Sequence, residues 1–320
     1  MMLTRFPVFG VSAVLLLSHT GISAAQNYPN RPIRIVAAEA GGGTDFVARL
    51  IVPGLTAAFS QQVIVDNRGG SAVIPGEIVA RATPDGHTLL LFSNNIWLMP
   101  FLEKVTLDPV RDFAPITIAV TAPNILIVHP SLPADSVKGL ITLAKARPGD
   151  LNYASGINGA SSHLAAELFK AMAGVNIVRV SYKGNNPALN DLIGGQTQMM
   201  FSTPTAVFPH VKTARLKALA VTSPAPTELA PGLPTVSASG LPGYETMVIY
   251  SLFAPAATPA AIVSRLNQET NRVVRRTDVK EKFFSAGVES AGSTPEQLAA
   301  TVKSDMARMG KVIRDAGIGP

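Results

Sequence analysis

The stretch IRIVAAEAGGGTDFVARL, residues 33–50, contains an apolar run, three consecutive glycines and the start of a helix. The apolar run at 33–38 predicts a buried strand. Beyond the glycines, apolar residues recur at helical spacing and predict a helix over 45–59. Pro53 falls inside that helix, where we expect it to kink or locally rearrange the chain. A strand, a glycine turn and a helix in this order are typical of the first unit of an α/β sheet.

Strands and helices continue to alternate along the chain in two successive units. In the first unit, predicted strands at 62–67 and 87–93 flank a short predicted helix at 76–82. This alternation predicts parallel strands joined by crossover helices. The rest of the chain predicts strands at 124–130, 151–155, 177–182, 197–202, 216–223 and 248–256, and helices at 136–146, 161–174, 186–195, 258–275 and 295–316.

Local signals refine three of these segments. The helix at 186–195 is expected to have Asn186 as its N-cap and Pro187 as its first residue. The proline-rich segment 224–242 is expected to be a surface connection. The C-terminal helices have no predicted strands of their own, so we expect them to return to the first unit.

Two α/β lobes account for this order of elements. Lobe 1 is expected to comprise residues 26–123 and 251–320, and lobe 2 residues 124–250, with chain crossings near 122–126 and 247–253. Ligands of open α/β sheets bind outside the carboxyl ends of the strands. We therefore expect those ends to face a ligand cleft between the lobes.

The N-terminal segment has the features of an export signal. Arg5 precedes an apolar run at 8–17, which is too short to span a bilayer because a membrane helix needs about 20 apolar residues. Ser23 and Ala25 are small residues at the positions that a signal peptidase reads. Cleavage is expected after Ala25, which gives a signal peptide at 1–25 and a mature chain in the periplasm. An N-terminal membrane anchor is the alternative for this segment.

The composition excludes several classes of protein. The 320-residue chain has no cysteine, so it forms no disulfide and uses no thiol catalysis or cysteine-bound zinc. Its formal net charge is +6, but the basic residues are scattered rather than grouped, which argues against nucleic-acid binding. A mild positive excess favours attraction of a small anion.

The glycines at 41–43 do not match a nucleotide-binding loop. No G-x-x-x-x-G-K-[ST] is present, and Phe46 stands where the third glycine of G-x-G-x-x-G belongs. G-x-S-x-G and H-E-x-x-H are also absent, and the histidines are widely separated. The sequence therefore predicts no catalytic residue, no cofactor and no metal site, although a triad scattered through the fold remains open.

Polar turns at the ends of strands, each leading into a helix N-terminus, form the candidate ligand site. Their free N–H groups suit carboxylate oxygens, and the helix dipole adds to the attraction. Asp45 is expected to complement its helix dipole and to pair with Arg49, with a contact to a ligand amine or hydroxyl as the alternative. Trp97 is expected beside the cleft. The candidate residues are Ala40, Gly41, Gly42, Gly43, Thr44, Asp45, Ser93, Asn94, Ser155, Gly156, Gly159, Ala160, Ser161, His163, Tyr182, Ser202 and Thr203.

A series of motifs over essentially the whole mature chain resembles the Bug family, the extracytoplasmic receptors of tripartite tricarboxylate transporters. The resemblance implies a type II periplasmic binding-protein fold, in which two lobes close on a small carboxylate. It also implies that backbone amides, small polar side chains and water hold the ligand at turns 40–45, 155–163, 182–184 and 202–203. The motifs include GGGTDFVARL, VDNRGG, ATPDGHTLL, DFAPIT, SVKGLITLAKARPGDLNYAS, VSYKGNNPALNDLIGGQTQMMF and PHVKTARLKALAVTS.

The chain departs from the family pattern beside the glycine turn. Many members have a proline-rich segment there, whereas this chain has AAEA, so Glu39 puts a carboxylate beside the anion turn unless it faces away. The resemblance implies a monomeric receptor that delivers its ligand to the membrane subunits of a tripartite transporter and is not an enzyme. A secreted hydrolase or other enzyme with an unrecognised catalytic set is the alternative, and a non-binding structural or interaction protein is a third interpretation.

Overall fold

A computed structural model describes residues 28–38, 40–69 and 73–319. The predicted signal peptide at 1–25 and Glu39 lie outside the described residues. In chain order, the strands are β1 (Ile33–Ala37), β2 (Val63–Asn67), β3 (Thr88–Ser93), β4 (Phe113–Pro123), β5 (Ile125–Val128), β6 (Asn152–Ser155), β7 (Val178–Ser181), β8 (Met199–Ser202), β9 (Lys217–Val221), β10 (Met247–Pro255) and β11 (Glu289–Ser290).

The helices occupy most of the connections between these strands, as the alternating sequence pattern predicts. In chain order they are α1 (Gly43–Phe59), α2 (Val73–Ala80), α3 (Asn95–Leu102), α4 (Pro109–Asp112), α5 (Val137–Ala146), α6 (Ser161–Ala173), α7 (Asn185–Ile193), α8 (Pro204–Lys212), α9 (Ala260–Val274), α10 (Thr277–Ser285) and α11 (Pro295–Asp315).

Within the described residues, the strands form two mixed sheets. The first has the order β2–β1–β3–β10–β4–β11, and the second has the order β7–β6–β8–β5–β9. Strands β1, β2 and β3 are parallel, with Ile35 opposite both Val65 and Leu89, as the first βαβαβ pattern predicts. Strand β10 runs antiparallel between β3 and β4, and β5 runs antiparallel between β8 and β9. The chain is therefore a mixed α/β protein, as the sequence predicts.

The chain passes between the two sheets at two adjacent places. It leaves the first sheet at Asn124 and returns between β9 and β10. The Asn124 N–H donates to Thr222 Oγ1 (2.8 Å), and the Thr222 N–H donates back to the Asn124 carbonyl (2.9 Å). The Thr246 N–H in turn donates to the Thr222 carbonyl (3.0 Å). These bonds hold the crossings side by side, and β10 rejoins the first sheet at Met247; the lobe limits given above stay a prediction.

Pro53 and Pro187 lie inside helices. Helix α1 runs through Pro53 as one element. The kink expected at Pro53 stays a prediction. Helix α7 begins at Asn185 with Gly184 as its N-cap, so Asn186 is not the cap and Pro187 is the third helical residue. Proline is tolerated at that position because the first N–H groups of a helix have no intrahelical partner.

Two further segments pack differently from expectation. The connection 224–242 is not a purely surface segment, because Val236 and Leu241 are buried in the core together with the neighbouring Tyr244. Its apolar residues are spaced irregularly between prolines, and this spacing hid their burial. The C-terminal region does contain a strand, β11, which pairs with the edge of β4. It is only two residues long and leaves no periodic pattern.

Helix α11 connects the two halves of the fold. It packs on β4 and α3, next to the first sheet, and also on α6, next to the second sheet. One hydrophobic core accordingly joins Trp97 and Phe253 from the first half with Phe169 and Phe201 from the second. The two halves thus share a buried base on one side and leave a cleft on another.

Candidate functional site

A cavity of about 650 Å³ lies between the loops of the two halves. Its walls mix backbone, small polar side chains and apolar side chains. The first half contributes Ala38, Gly43, Thr44, Phe92, Ser93, Asn95, Met99, Leu102, Glu103 and Tyr250, and the second contributes Ile157, Asn158 and Gly159. Four of the residues predicted from sequence therefore line the cavity: Gly43, Thr44, Ser93 and Gly159.

The N-terminus of α1 forms one wall of this cavity. The first backbone bond of the helix runs from the Phe46 N–H to the Gly42 carbonyl, so the N–H groups of Gly43 and Thr44 precede the intrahelical ladder. Among the described residues, no side chain caps this end. Thr44 Oγ1 instead accepts from the Ala38 N–H (3.1 Å) and fixes the turn on its strand. This end of the helix can offer its N–H groups to an anion.

Asp45 braces the turn that contains Ala40, Gly41 and Gly42. Its carboxylate accepts from the Gly41 N–H (2.8 Å), from Arg49 Nε (2.8 Å) and from Asn67 Nδ2 (3.0 Å). The bond from Arg49 is the main cause that holds the pKa of Asp45 below its usual range, with further lowering from Gly41 and Asn67. These contacts match the structural role that the i,i+4 spacing predicts for Asp45.

Tyr250 presses its hydroxyl against the same turn. A Cβ placed on Gly43 would lie 2.2 Å from Tyr250 Oη, so a side chain there would collide with the phenol. Burial raises the pKa of Tyr250, which keeps its hydroxyl protonated. Among the described residues, the hydroxyl has no hydrogen-bond partner, and Tyr250 lines the cavity. It is therefore placed to donate to a bound ligand.

The turn after β3 divides between the cavity and the core. Ser93 and Asn95 line the cavity. Asn94 is turned to β10, where it donates to the Met247 carbonyl (3.2 Å) and accepts from the Ile249 N–H (3.4 Å). Trp97 is fully buried, so the expectation that it lies beside the cleft is wrong. Its indole N–H donates to Asp305 of α11 (2.9 Å), a residue more than 200 positions away along the chain.

The loop 156–160 brings the second half to the cavity. Gly159 has φ of +73°, and a Cβ added there would lie 2.6 Å from the Leu102 side chain across the cleft. The position thus needs glycine both for its backbone conformation and for its close approach. Ala160 follows as the N-cap of α6, and Ser161 is the first helical residue; among the described residues, no side chain caps this helix.

Hydrogen bonds from side chains outside the cavity wall stabilise this loop. Ser162 Oγ accepts from the Gly156 N–H (3.1 Å) and donates to Asn185 Oδ1 (2.9 Å). The buried Ser155 Oγ accepts from Arg179 Nε (2.8 Å), and Arg179 Nη2 donates to the Gly156 carbonyl (2.9 Å). Ser155 and Gly156 therefore stabilise the conformation of the loop and do not line the cavity.

His163 is buried one turn into α6. Its Nδ1 accepts from the Gly159 N–H (3.2 Å), which requires the neutral imidazole. Burial, with help from the charges of Arg179 and Lys170, lowers the pKa of His163 to about 3. The imidazole is thus an uncharged brace of the loop at neutral pH.

The remaining predicted residues lie in the second half but not on the cavity wall. The Tyr182 hydroxyl donates to Asp191 (2.8 Å); burial and this carboxylate raise the pKa of Tyr182 to about 12. Ser202 is buried at the end of β8, and Thr203 is the N-cap of α8. Their contact with ligand stays a prediction.

The sequence interpretation missed several residues of the cavity wall. Asn158 lies inside the predicted turn 155–163, and Asn95 directly follows the predicted residues Ser93 and Asn94, so their polarity was a usable signal. Tyr250 lies in the middle of an apolar strand, and Met99 lies in a helix that was not predicted. Only the three-dimensional pairing of β10 with β3 brings Tyr250 to the glycine turn.

Two mixed α/β halves, joined by paired crossings and facing each other across a ligand-sized cavity, define the class of bilobal solute-binding receptors. The chain belongs to the tripartite tricarboxylate transporter family receptors, whose sequence profile matches residues 47–318. A protein of Pseudomonas sp. (strain P51), the UPF0065 protein in the tcbD-tcbE intergenic region, is 37% identical over 95% of this chain and 92% of its own length. Protein BugT of Bordetella pertussis is 32% identical over 95% of both chains.

Solved structures give the same fold. R. palustris Rpa4515 with adipate is 35% identical, with a TM-score of 0.76 over 92% of this chain and 99% of that one. Periplasmic binding protein BugD is 32% identical, with a TM-score of 0.73 over 91% and 99%. MatC from Rhodopseudomonas palustris with bound malate is 27% identical, with a TM-score of 0.73 over 89% and 100%. The fold is thus that of the periplasmic solute-binding receptors. In the part of the chain that the structure describes, no helix has the length and apolarity that a membrane crossing needs.

Proposed function

We propose that this protein is a periplasmic receptor that captures a small organic carboxylate and delivers it, as a monomer, to the membrane subunits of a tripartite transporter. The observation that carries the proposal is the cavity between the two halves, with the uncapped N-terminus of α1 in its wall. The adipate and malate bound by two relatives of the same fold support a carboxylate as the ligand.

The cavity wall suits an acid with a short aliphatic body. One carboxylate would accept from the N–H groups of Gly43 and Thr44 and from the Tyr250 hydroxyl, where the helix dipole favours negative charge. The apolar side chains of Met99 and Leu102 would contact methylene groups. Polar ends and an apolar middle are the features of a dicarboxylate.

Capture would proceed by closure of the two lobes. The two crossings and the shared core hold the halves side by side, with loop 156–160 forming the wall opposite α1. A rotation about those crossings would separate Gly159 from Leu102 and open the cavity, and a bound acid would favour the closed state by contacting both loops.

We propose that the protein binds the acid without changing it chemically. Ser155 Oγ is bonded to Arg179 and to the Gly156 carbonyl, and His163 accepts from a backbone N–H, so these two residues brace a loop. A hydrogen-bonded pair, His129 and Ser131 (2.7 Å), lies on the surface and does not line the cavity. Nucleophilic catalysis needs a base paired with a nucleophile at the substrate, which these contacts do not provide.

A thermal-shift screen tests the proposal. The purified protein is heated with dicarboxylates, tricarboxylates, aromatic acids, amino acids and uncharged sugars. A true ligand at about 100 times its dissociation constant adds about 2.7 kcal/mol to the free energy of unfolding. The expected result is a rise in melting temperature with an acid and none with sugars; chromatography then recovers the acid unchanged. No response to any carboxylate, or recovery of a converted product, contradicts the proposal.

A further inference from the structure

Arg179 is tied to the loop that carries the second half's cavity wall. It lies on strand β7 opposite Tyr153, and its guanidinium reaches toward the loop. Nε donates to Ser155 Oγ (2.8 Å) and Nη2 to the Gly156 carbonyl (2.9 Å). The other bonds run from Nη1 to Asn158 Oδ1 (3.2 Å) and from Nη2 to Ser181 Oγ (3.2 Å). One side chain therefore contacts the loop at several points.

In the part of the chain that the structure describes, Arg179 has no ion-pair partner. Every acceptor just named is a neutral oxygen, and among the described residues no Asp or Glu oxygen lies within 4.0 Å of its guanidinium. The turn of the first half is different, because the charge of Asp45 is balanced by Arg49. An unpaired guanidinium acts at longer range than a balanced pair because no adjacent opposite charge cancels its field. Its partial burial also reduces screening by water.

The cavity is therefore electrically asymmetric. Asn158, which accepts from Arg179, lines the cavity together with its neighbours Ile157 and Gly159. The opposite wall contains the exposed carboxylate of Glu103. Positive charge thus lies behind the loop of the second half and negative charge at the rim of the first. These two charges lower the electrostatic energy of an anionic group near loop 156–160, so a dicarboxylate can place one carboxylate there and the other at the N-terminus of α1.

We infer that Arg179 is a specificity-determining residue that sets the charge preference of the cavity from behind loop 156–160. The inference rests on the proposed function, because it assigns the carboxylate preference of that same cavity to one side chain. Arg179 acts through the loop as a positioning residue. Its charge attracts an anion, and its hydrogen bonds hold the conformation of the loop. Substitutions can separate these two contributions.

Three variants provide the test. Arg179→Lys keeps the charge but loses the planar fork, and Arg179→Gln removes the charge. Lys145→Gln removes the same charge from the exposed last turn of α5, away from the cavity wall, and is the matched control. Dissociation constants for adipate and malate are measured by calorimetry at 20 and 200 mM salt, together with those for their monomethyl esters.

The charges of the ligand and of the side chain predict the order of the results. Arg179→Gln is expected to weaken dianion binding about tenfold at low salt, with a smaller loss for the monoesters and a flatter salt dependence. Arg179→Lys is expected to keep most of the preference for the dianion over the monoester. Lys145→Gln is expected to bind like wild type.

Binding by wild type separates failure of the inference from failure of the proposed function. NMR titration adds a ligand-independent check: in Arg179→Gln, the His163 imidazole is expected to titrate at higher pH because a nearby positive charge has gone. An unchanged titration would show that the charge of Arg179 does not act across the loop and would overturn the inference. If wild type binds an acid and Arg179→Gln keeps the same dianion preference, the inference alone is overturned. An equal loss for dianion and monoester reduces Arg179 to a structural brace and also overturns it. If neither acid binds wild type, the proposed function and the inference both fail for these acids.

Discussion

Gly43 is the residue where the cavity tolerates least change. Its α-carbon faces Tyr250 Oη at a distance that leaves no room for a Cβ. Gly43→Ala is expected to destabilise the protein by about 1–3 kcal/mol, the usual cost of overpacking, and to weaken ligand binding because the phenol must move. Chemical denaturation and calorimetry measure the two effects.

A second substitution separates the collision from the lost contact. Gly43→Ala with Tyr250→Phe removes the clashing oxygen and is expected to recover most of the stability but not the affinity. Recovery of affinity as well would show that the Tyr250 hydroxyl does not contact the ligand, and full stability of the single variant would contradict the packing argument.

His163 gives the free energy of unfolding a defined pH dependence. Its pKa is about 3 in the folded protein and about 6.5 in an unfolded chain, so the unfolded state binds more protons between these values. Its contribution is complete above pH 6.5 and is lost as the pH falls toward 3, at about 1.4 kcal/mol per pH unit.

The variant His163→Asn keeps an acceptor for the Gly159 N–H but does not titrate. The difference in unfolding free energy between wild type and this variant is expected to shrink from pH 7 to pH 5, a range in which most carboxylates stay ionised. Urea denaturation at several pH values measures it. Parallel curves for the two proteins would mean that His163 is not held neutral by the fold.

At the scale of elements, the helices and strands that were predicted are those whose apolar residues recur at a regular spacing and whose ends are marked by glycine, proline or capping residues. Strand β4 was missed because Pro115 and Pro123 sit within an apolar run that the sequence also permits as a loop. Helices α3 and α8 were missed for a related reason, since Pro100 and Pro209 lie inside them. Proline weakens the local signal, and tertiary packing then decides the element.

The contact of α3 with α11 depends on another glycine. A Cβ on Gly310 would lie 2.6 Å from the Phe101 ring. Alanine inside a helix normally stabilises it by up to about 1 kcal/mol over glycine, but here overpacking of about 1–3 kcal/mol opposes that gain. Gly310→Ala is therefore expected to lower the free energy of unfolding.

Phe101→Leu tests the cause. Combined with Gly310→Ala, it makes room for the methyl group, so the double variant is expected to be more stable than the sum of the single effects predicts. Additive effects in a double-mutant cycle by urea denaturation would show that the two residues are not coupled.

At the scale of the whole molecule, the sequence predicted the two-unit order of elements and the turns that approach the cavity. It did not predict which side chains of those turns face inward. The contacts of Trp97 with Asp305, of Tyr250 with Gly43 and of Asn158 with Arg179 are tertiary contacts that exist only in the folded structure. Such contacts join positions far apart in the chain and leave no local period, so a single sequence does not contain a direct signal for them.

The shared core has a consequence for the whole chain. Each half has a hydrophobic cluster of its own, but a third buried cluster contains Phe253 of the first half, Phe169 of the second and Leu298 of α11. Tyr244 adds a hydrogen bond to the Ala165 carbonyl (2.8 Å) within that cluster. Opening of either half would expose the apolar surface of both, so we expect one cooperative thermal transition whose calorimetric and van't Hoff enthalpies agree.

A substitution in α11, the helix that connects the two halves, tests this expectation. Leu298→Ala removes a fully buried side chain from α11 and is expected to cost about 2–5 kcal/mol while the transition stays single. Thr301→Ala, on the more exposed face of the same helix, is the control and is expected to change stability little. Two resolved transitions in wild type would mean that α11 does not couple the lobes. A single transition would mean that the cluster shared through α11 couples the unfolding of the two halves, although each half also has a cluster of its own.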